Sequence, residues 1–473
     1  MSDRILVVGG GLAGTAAALR LADAGRAVTL VEARPRLGGA AFSFPRAFEG
    51  GQLSIDNGQH IFLRCCTEYR AFLDRISATD LTALQPRLRI DVLRPDGRRA
   101  RLSRIPGLPA PLHLGAALAR YPLLGRRDRL RTLRGALALR GLDPDDDRLD
   151  AQSFGRFLRA HGQSTASIDA LWGILITATL NIAPDDASLQ LAAKVVRTGL
   201  LDQADAADVG HAIAPLARLH HDRALAALRR AGVEVRLGTR LPAITGDRVT
   251  LSGRGGERER CRPDAVVLAV PHHRLAALGV TDVDSEALGT SPIVNVHVVY
   301  DRRVTELPLA AAVDSPVQWV FDRSESSGLR ALRPRAQYLA VTVSAADGLI
   351  DAPAAAIVAR YHSALARLFP AAARAQILAA FVTRERQATF RQRAGSGRFR
   401  PPPGRRGGPA GIDGDAASYD RSEPSAASAL PVVLAGTYTA TGWPDTMESA
   451  IRSGNAAADQ VLTGTSTRLE RAA

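Results

Sequence analysis

The chain has 473 residues, of which 46% are hydrophobic and 23% charged, with a formal net charge of +14. That length exceeds a single hydrophobic core and predicts two or three intertwined domains of an ordinary globular protein. The charge alone would point to nucleic acid, but the basic residues are dispersed arginines with a single lysine, Lys194. Nucleic acid is therefore not an expected partner, and an anionic membrane surface fits the excess better.

Three cysteines, Cys65, Cys66 and Cys261, form neither a CxxC nor a paired framework, so reduced thiols are expected and no metal site. The first residues lack the pattern of a secretory leader, and no run of eighteen uncharged apolar residues occurs. A cytoplasmic location is expected.

In chain order, "RILVVGGGLAGTAAALRLADAGRAVTLVEARPRLGG" reads as strand Arg4–Val8, a glycine turn, helix Leu12–Asp23 and strand Ala27–Val31 ending in Glu32. Gly9, Gly11 and Gly14 fit GxGxxG, and each has a mechanical reason. Gly9 permits the tight turn, Gly11 leaves room for a pyrophosphate on the helix N-terminus, and Gly14 lets helix and strand pack closely. Glu32 is placed to accept hydrogen bonds from a ribose diol. The unit predicts a Rossmann-like dinucleotide-binding α/β domain. Its extension, with Arg34 and the pair Gly38–Gly39, resembles the FAD-binding proteins of the amine oxidase and carotenoid desaturase superfamily, whose pattern is E-x-R-x-x-x-G-G-R. Here Ala40 stands where the last arginine would be, so one phosphate-directed guanidinium is missing. The resemblance implies FAD as the cofactor. No second GxGxxG follows, so no built-in nicotinamide domain is expected.

The stretch "DNGQH", Asp56 to His60, would pass close to the flavin in that superfamily. Gly58 would let backbone approach the isoalloxazine, with Gln59 beside it. His60 could donate a proton near neutral pH, and Asp56 could do so if burial raised its pKa. Equally, Asp56 and Asn57 could cap a turn while Gln59 and His60 are satisfied structural groups. Residues 105–141 carry seven arginines against one acid, Asp128. On a helix there, Leu130, Leu133 and Leu137 share one face, with Arg127, Arg131 and Arg134 on the neighbouring one. That pattern suits a helix resting on an anionic bilayer, or the solvated basic face of a buried helix.

"LWGILITATLNIAPDDASL", residues 171–189, carries a narrower resemblance together with "DNGQH". Both are similar to motifs of the bacterial hydroxysqualene dehydroxylases, the second being W-x-P-L-x-x-A-x-L-N-x-x-P-x-x-A-S. Trp172, Leu180, Asn181, Pro184, Ala187 and Ser188 fit; Gly173 and Ile174 stand in the region of the family's proline.

Residues 212–275 read as a return to the nucleotide domain, with the backbone near Leu241 implied by the resemblance to contact the adenine end. "SPIVNVHVVYD" and "AQYLAVTVSAA" are expected to be two strands of a sheet over the flavin that the resemblance implies. The Gly/Pro/Ser/Arg-rich stretch 395–430 is expected to be a flexible excursion without chemistry. Residues 432–462 resemble the superfamily's C-terminal flavin motif: a strand, a turn at Gly436 and Thr437, and a helix from near Asp445 that aims its first amides, around Thr446 and Met447, at the isoalloxazine. Thr437 stands for the usual aspartate and Ser449 for the usual glycine. The expected division is 1–45, 212–275 and 431–473 as FAD-binding domain. The substrate domain would be 46–211 and 276–430, helical within 100–211 and with its sheet within 276–345.

The resemblance implies an FAD-dependent enzyme that removes the hydroxyl of hydroxysqualene to give squalene, supplying hopanoid synthesis beside other squalene-pathway enzymes. Such chemistry needs an acid, for which His60 and Asp56 are the candidates, and a dry pocket for an isoprenoid. Trp172, Asn181 and Trp443 are candidates for that pocket, or packing residues. The rivals are a carotenoid desaturase, an amine oxidase, for which Lys194 lies outside the expected motif, and a non-catalytic flavin-binding scaffold.

Overall fold

The computed structural model describes residues 4–407 and 430–472. Arg4–Val8 becomes an interior strand of a six-stranded sheet ordered Glu234–Leu237, Ala27–Glu32, Arg4–Val8, Ala265–Leu268, Val432–Leu434 and Arg406–Gly407. The first five run parallel and the short last one antiparallel. Burial on both faces explains the continuously apolar sequences. Alternation still decides which side each residue serves: Ile5 and Val7 join one apolar cluster, Leu6 and Val8 the other. The sheet therefore draws on three widely separated stretches of chain.

On the first face lie helix Leu12–Asp23 and the closing helix Met447–Ala472, which begins two residues past Asp445. They approach so closely that a Cβ on Gly454 would sit 2.2 Å from the Ala13 carbonyl oxygen. The second face is covered by a helical layer that includes Phe154–Ala160, Gly173–Leu180 and Leu189–Val196. A small antiparallel sheet, Arg240–Thr245, Arg248–Ser252 and Arg258–Cys261, hangs beside it.

The expected strands around 291–301 and 336–346 form as Ser291–Tyr300 and Gln337–Val343, paired antiparallel. Their sheet is wider than the interval 276–345. It has seven strands, taking Arg89–Leu93 and Arg99–Ser103 at one end and Ile377–Thr389 at the other. Helix Ala354–Leu368 covers one face through Ile357, Tyr361 and Leu365. The hairpin Ser43–Phe48/Gly51–Asp56 packs Phe48, Leu53 and Ile55 against part of the other.

The stretch from 395 is a correction as far as it is described; residues 408–429 lie outside the described residues. Ser396 is buried, Gly397 donates its amide to Asp150 at 2.7 Å, and Arg400 is 7% exposed. The Arg400 guanidinium donates to the carbonyls of Thr437, Thr439 and Trp443, fastening the loop before the last helix. Glycine and proline there shape a fixed turn, because buried carbonyls elsewhere need a donor.

Candidate active site

The glycine turn has the geometry its spacing demands. Gly9 sits at φ +107° with its amide on the Val31 carbonyl, and a Cβ on Gly14 would lie 1.9 Å from the Gly9 oxygen. Gly39 lies opposite, at φ +57°, where a Cβ would come within 2.8 Å of the Gly11 Cα. Two bare backbones thus face each other at the N-terminus of helix Leu12–Asp23, the cradle a pyrophosphate needs. Gly38, at φ +99°, completes the turn by donating to the Gly10 carbonyl. Glu32 accepts the amides of Gly10 (2.7 Å) and Arg34 (2.8 Å), which locks the turn and leaves lone pairs over. Leu241 is buried in the bulge between Arg240 and Ala243, beside an open hollow lined by Ala33, Gly238 and Arg240.

Ala40 does not leave the turn without a second cation. Arg36, which the sequence reading passed over, lies 3.4 Å from the Phe42 ring centroid and donates to the Leu37 and Gly39 carbonyls. Burial, then neighbouring Arg34, pulls its pKa down to about 10. A guanidinium so placed gains from any anion brought to it. Arg34 bonds the same Gly39 carbonyl at 3.3 Å.

"DNGQH" divides into a joint and a lining. Asp56 is 5% exposed and accepts from Ser43 Oγ (2.6 Å), the Leu216 amide (3.0 Å) and Arg323 Nη2 (2.6 Å). With donors on every side, its carboxylate is an acceptor in a buried ion pair, which corrects the expectation of an acid there. Asn57 joins the nucleotide turn to the seven-stranded sheet. It bonds Ala40 and Phe42 on one side and Glu385 on the other, while its carbonyl accepts from Asn295 and Thr383. Among the described residues nothing crowds Gly58, since a Cβ there would meet only His60 Nε2 at 3.6 Å and Asn295 Nδ2 at 3.7 Å. Gln59 is different. Its Nε2 is buried without a partner among the described residues, so that donor is uncommitted. His60 keeps part of its surface accessible, and desolvation lowers its pKa against the pull of Asp56. The Asp56 charge is spent largely on Arg323, which itself opposes protonation of His60.

The C-terminal loop turns at Gly436, φ +152°, whose amide donates to Ser453 Oγ at 2.9 Å. The Thr437 hydroxyl is bonded to Asp445, whose carboxyl burial pushes up and which also accepts the Phe390 amide at 2.9 Å. Thr437 can still accept from a ligand hydroxyl. Thr446 accepts the Ser449 amide and caps the last helix, and Met447 is packed against the first apolar cluster. Glu448 points away from that cradle, accepting the amides of Glu68 and Tyr69 at the start of helix Thr67–Arg75.

The predicted pocket residues separate. Trp172 is 4% exposed, donates to Gln163 at 3.0 Å and meets Phe154 edge-on, so it is a core aromatic. Asn181, at φ +51°, ends helix Gly173–Leu180 and is spent on Ser291, Thr389 and Ala345. Both corrections have one cause: a polar group on buried structure is consumed by its neighbours. Trp443 is partly exposed, with the Arg452 guanidinium 4.9 Å over its ring. Lys194 pairs with Asp145 (3.3 Å), whose side chain is 72% exposed. The three cysteines are free thiols. Arg36, Ser43, Asn295, Arg323, Glu385 and Arg400 complete the surroundings; Arg36 occupies a variable position of the E-x-R-x-x-x-G-G stretch, and the roles of the others depend on partners distant in the chain.

A family model for flavin containing amine oxidoreductase matches residues 12–462. The chain is 32% identical to the hydroxysqualene dehydroxylase of Rhodopseudomonas palustris, over 98% of this chain and 99% of that one. It is 27% identical to the hydroxysqualene dehydroxylase of Sinorhizobium fredii, over 99% and 100%. A solved putrescine oxidase shares the fold, with TM-score 0.66 at 17% identity over 98% and 99% of the two chains. The glycine cradle and the joint at Asn57 are thus set in a chain that matches these relatives end to end. It belongs to the flavin-containing amine oxidoreductase family and, within it, to the hydroxysqualene dehydroxylases.

Proposed function

We propose that the chain binds FAD non-covalently and removes the hydroxyl of hydroxysqualene to give squalene, an isoprenoid reduction feeding hopanoid synthesis. The observation that carries this reading is the end-to-end similarity to two relatives of that name. The cradle fits the cofactor. Gly11 and Gly39 offer bare backbone, the helix N-terminus favours an anion, and Arg34 and Arg36 supply cationic groups where Ala40 has none. Gln59 offers an uncommitted donor. When bound and reduced, FAD supplies the hydride that replaces the departing hydroxyl.

The protein's own part is to dry the substrate and to handle one proton. Apolar side chains from the helix Gly173–Leu180 region and the seven-stranded sheet, among them Leu171, Ile174, Trp319 and Phe321, form one apolar cluster, the kind of surface a hydrocarbon chain would pack against. The leaving oxygen needs a proton, and His60 is the group to deliver it, since Asp56 is committed to Arg323. Its depressed pKa makes it a strong acid once charged, and a negative charge brought to it would favour that form.

Anaerobic, dithionite-reduced protein given hydroxysqualene tests the proposal, with products followed by mass spectrometry and the released cofactor identified by chromatography. Squalene and FAD are expected. No turnover together with oxidation of phytoene would establish the desaturase instead. Cofactor that is never reoxidised by any isoprenoid would leave a scaffold.

A further inference from the structure

We infer that the segment 105–140 is a docking face for an anionic lipid bilayer. Of the eight large apolar side chains exposed among the described residues, six lie here: Ile105, Leu108, Leu112, Leu130, Leu133 and Leu137. On helix Arg126–Arg140 the arrangement is inside out. The residues it buries are Thr132, Gly135 and Leu139, whereas Leu130, Leu133 and Leu137 are 71%, 47% and 53% exposed. At about 100° per residue these two sets point in opposite directions. The apolar ridge therefore faces away from the body of the protein, where water alone would favour polar side chains.

Charge selects the occupant. Arg127, Arg131 and Arg134 border the ridge on one side and Arg140 on the other, while Arg126 continues the ridge at its N-terminal end; all five are exposed. Asp128 is the single acid of the segment, and its pairing with Arg131, at 3.6 Å, is the one ion pair there among the described residues. Leucines for the acyl region flanked by guanidiniums for phosphate, of which Arg131 alone shares an ion pair among the described residues, match an anionic membrane surface. No helix among the described residues is long and apolar enough to cross a membrane.

The segment is anchored rather than loose. Arg129 donates to the Leu124 and Ala119 carbonyls, and the Ile105 amide to the His113 carbonyl. Its root, Tyr121, donates to the Ala170 carbonyl at 2.7 Å and shares a cluster with Leu171, Ile174, Trp319 and Phe321. The docking face is thereby joined through Tyr121 to the apolar cluster that an isoprenoid substrate would approach. This last step rests on the proposed substrate; the docking face does not.

The test is co-sedimentation of the flavin-loaded protein with vesicles of phosphatidylcholine alone and of phosphatidylcholine with phosphatidylglycerol. Binding only to the anionic vesicles, reversed by high salt, is expected. Leu130→Ser/Leu133→Ser/Leu137→Ser should weaken it at least about tenfold, and each of Arg127→Gln, Arg131→Gln and Arg134→Gln about fivefold at low salt. All six residues are exposed, so flavin content and melting should be unchanged. Turnover of detergent-dispersed hydroxysqualene should persist in the leucine variant while turnover of vesicle-embedded substrate falls. That split separates failure of docking from failure of the substrate reading. No binding to anionic vesicles, or equal binding by the leucine variant, would overturn the inference. So would a wild-type dimer that the leucine variant converts to monomer, since the ridge would then be an interface between copies.

Discussion

Replacing Asp56 by alanine distinguishes a structural anchor from a proton donor. In the structure three donors converge on its carboxylate: Ser43 Oγ, the Leu216 amide and Arg323 Nη2 at 2.6 Å. The Arg323 side chain is 10% exposed, and its other nitrogen bonds the Ala212 carbonyl at 3.0 Å. Removing the carboxylate leaves this guanidinium buried without a counter-charge, a loss of about 3–5 kcal/mol. The stranded Leu216 amide adds up to about 1–3 kcal/mol, though the two effects overlap. Asp56→Asn keeps the acceptor and loses the charge, so it should fall between wild type and alanine. Urea unfolding of the flavin-loaded protein measures these losses, and a double-mutant cycle with Arg323→Met measures their coupling. The pair Asp56→Leu/Arg323→Met should recover most of the stability, because neither charge remains to be desolvated. Asp56→Ala protein as stable as wild type, within about 0.5 kcal/mol, but unable to turn over would refute the anchor and restore the acid.

Three further outcomes are expected. Gly39→Val meets the Gly11 backbone at 2.8 Å in a backbone conformation that β-branched residues avoid, so the purified variant should lack flavin absorbance; wild-type cofactor stoichiometry would contradict the cradle. If His60 carries the proton, dehydroxylation should slow as pH rises through an inflection below the ordinary histidine value, because burial lowers its pKa, and His60→Gln should be slow with no such inflection. A wild-type rate insensitive to pH there would remove His60 from the chemistry. Burial also pushes His220 and His272 down to about 4 and His297 to about 3. Between those values and about 6.5 the unfolded chain takes up protons the native state refuses, so their stability is complete above 6.5 and is lost as pH falls, by about 2 kcal/mol per group at pH 5. His297→Gln should flatten that acid limb by about 1.4 kcal/mol per pH unit; an unchanged slope in urea midpoints would show that His297 is not responsible.

The sequence by itself determined the nucleotide turn, since the bonds that shape it, Gly9 to Val31, Gly38 to Gly10 and Gly10 to Glu32, join residues within thirty of one another. Arg4–Val8, Leu12–Asp23 and Ala27–Glu32 form where the pattern places them. It also determined that Leu130, Leu133 and Leu137 share a helical face, a matter of period alone. Which way that face points was not legible, because the answer lies in what Thr132, Gly135 and Leu139 find to pack against. "DNGQH" adjoins the nucleotide turn through Asn57, but the bonding of Asp56 was decided by Arg323, 267 residues further along the chain. Trp172 and Asn181 matched a motif for the same reason they proved to be structural: each is held by partners the fold brings to it. Arg400, hidden in a stretch that reads as loose, became a clasp only when folding presented it with four carbonyls. Local propensity writes elements and faces into a sequence; the protonation, pairing and exposure of a side chain are set by distant neighbours, and only the folded chain supplies them.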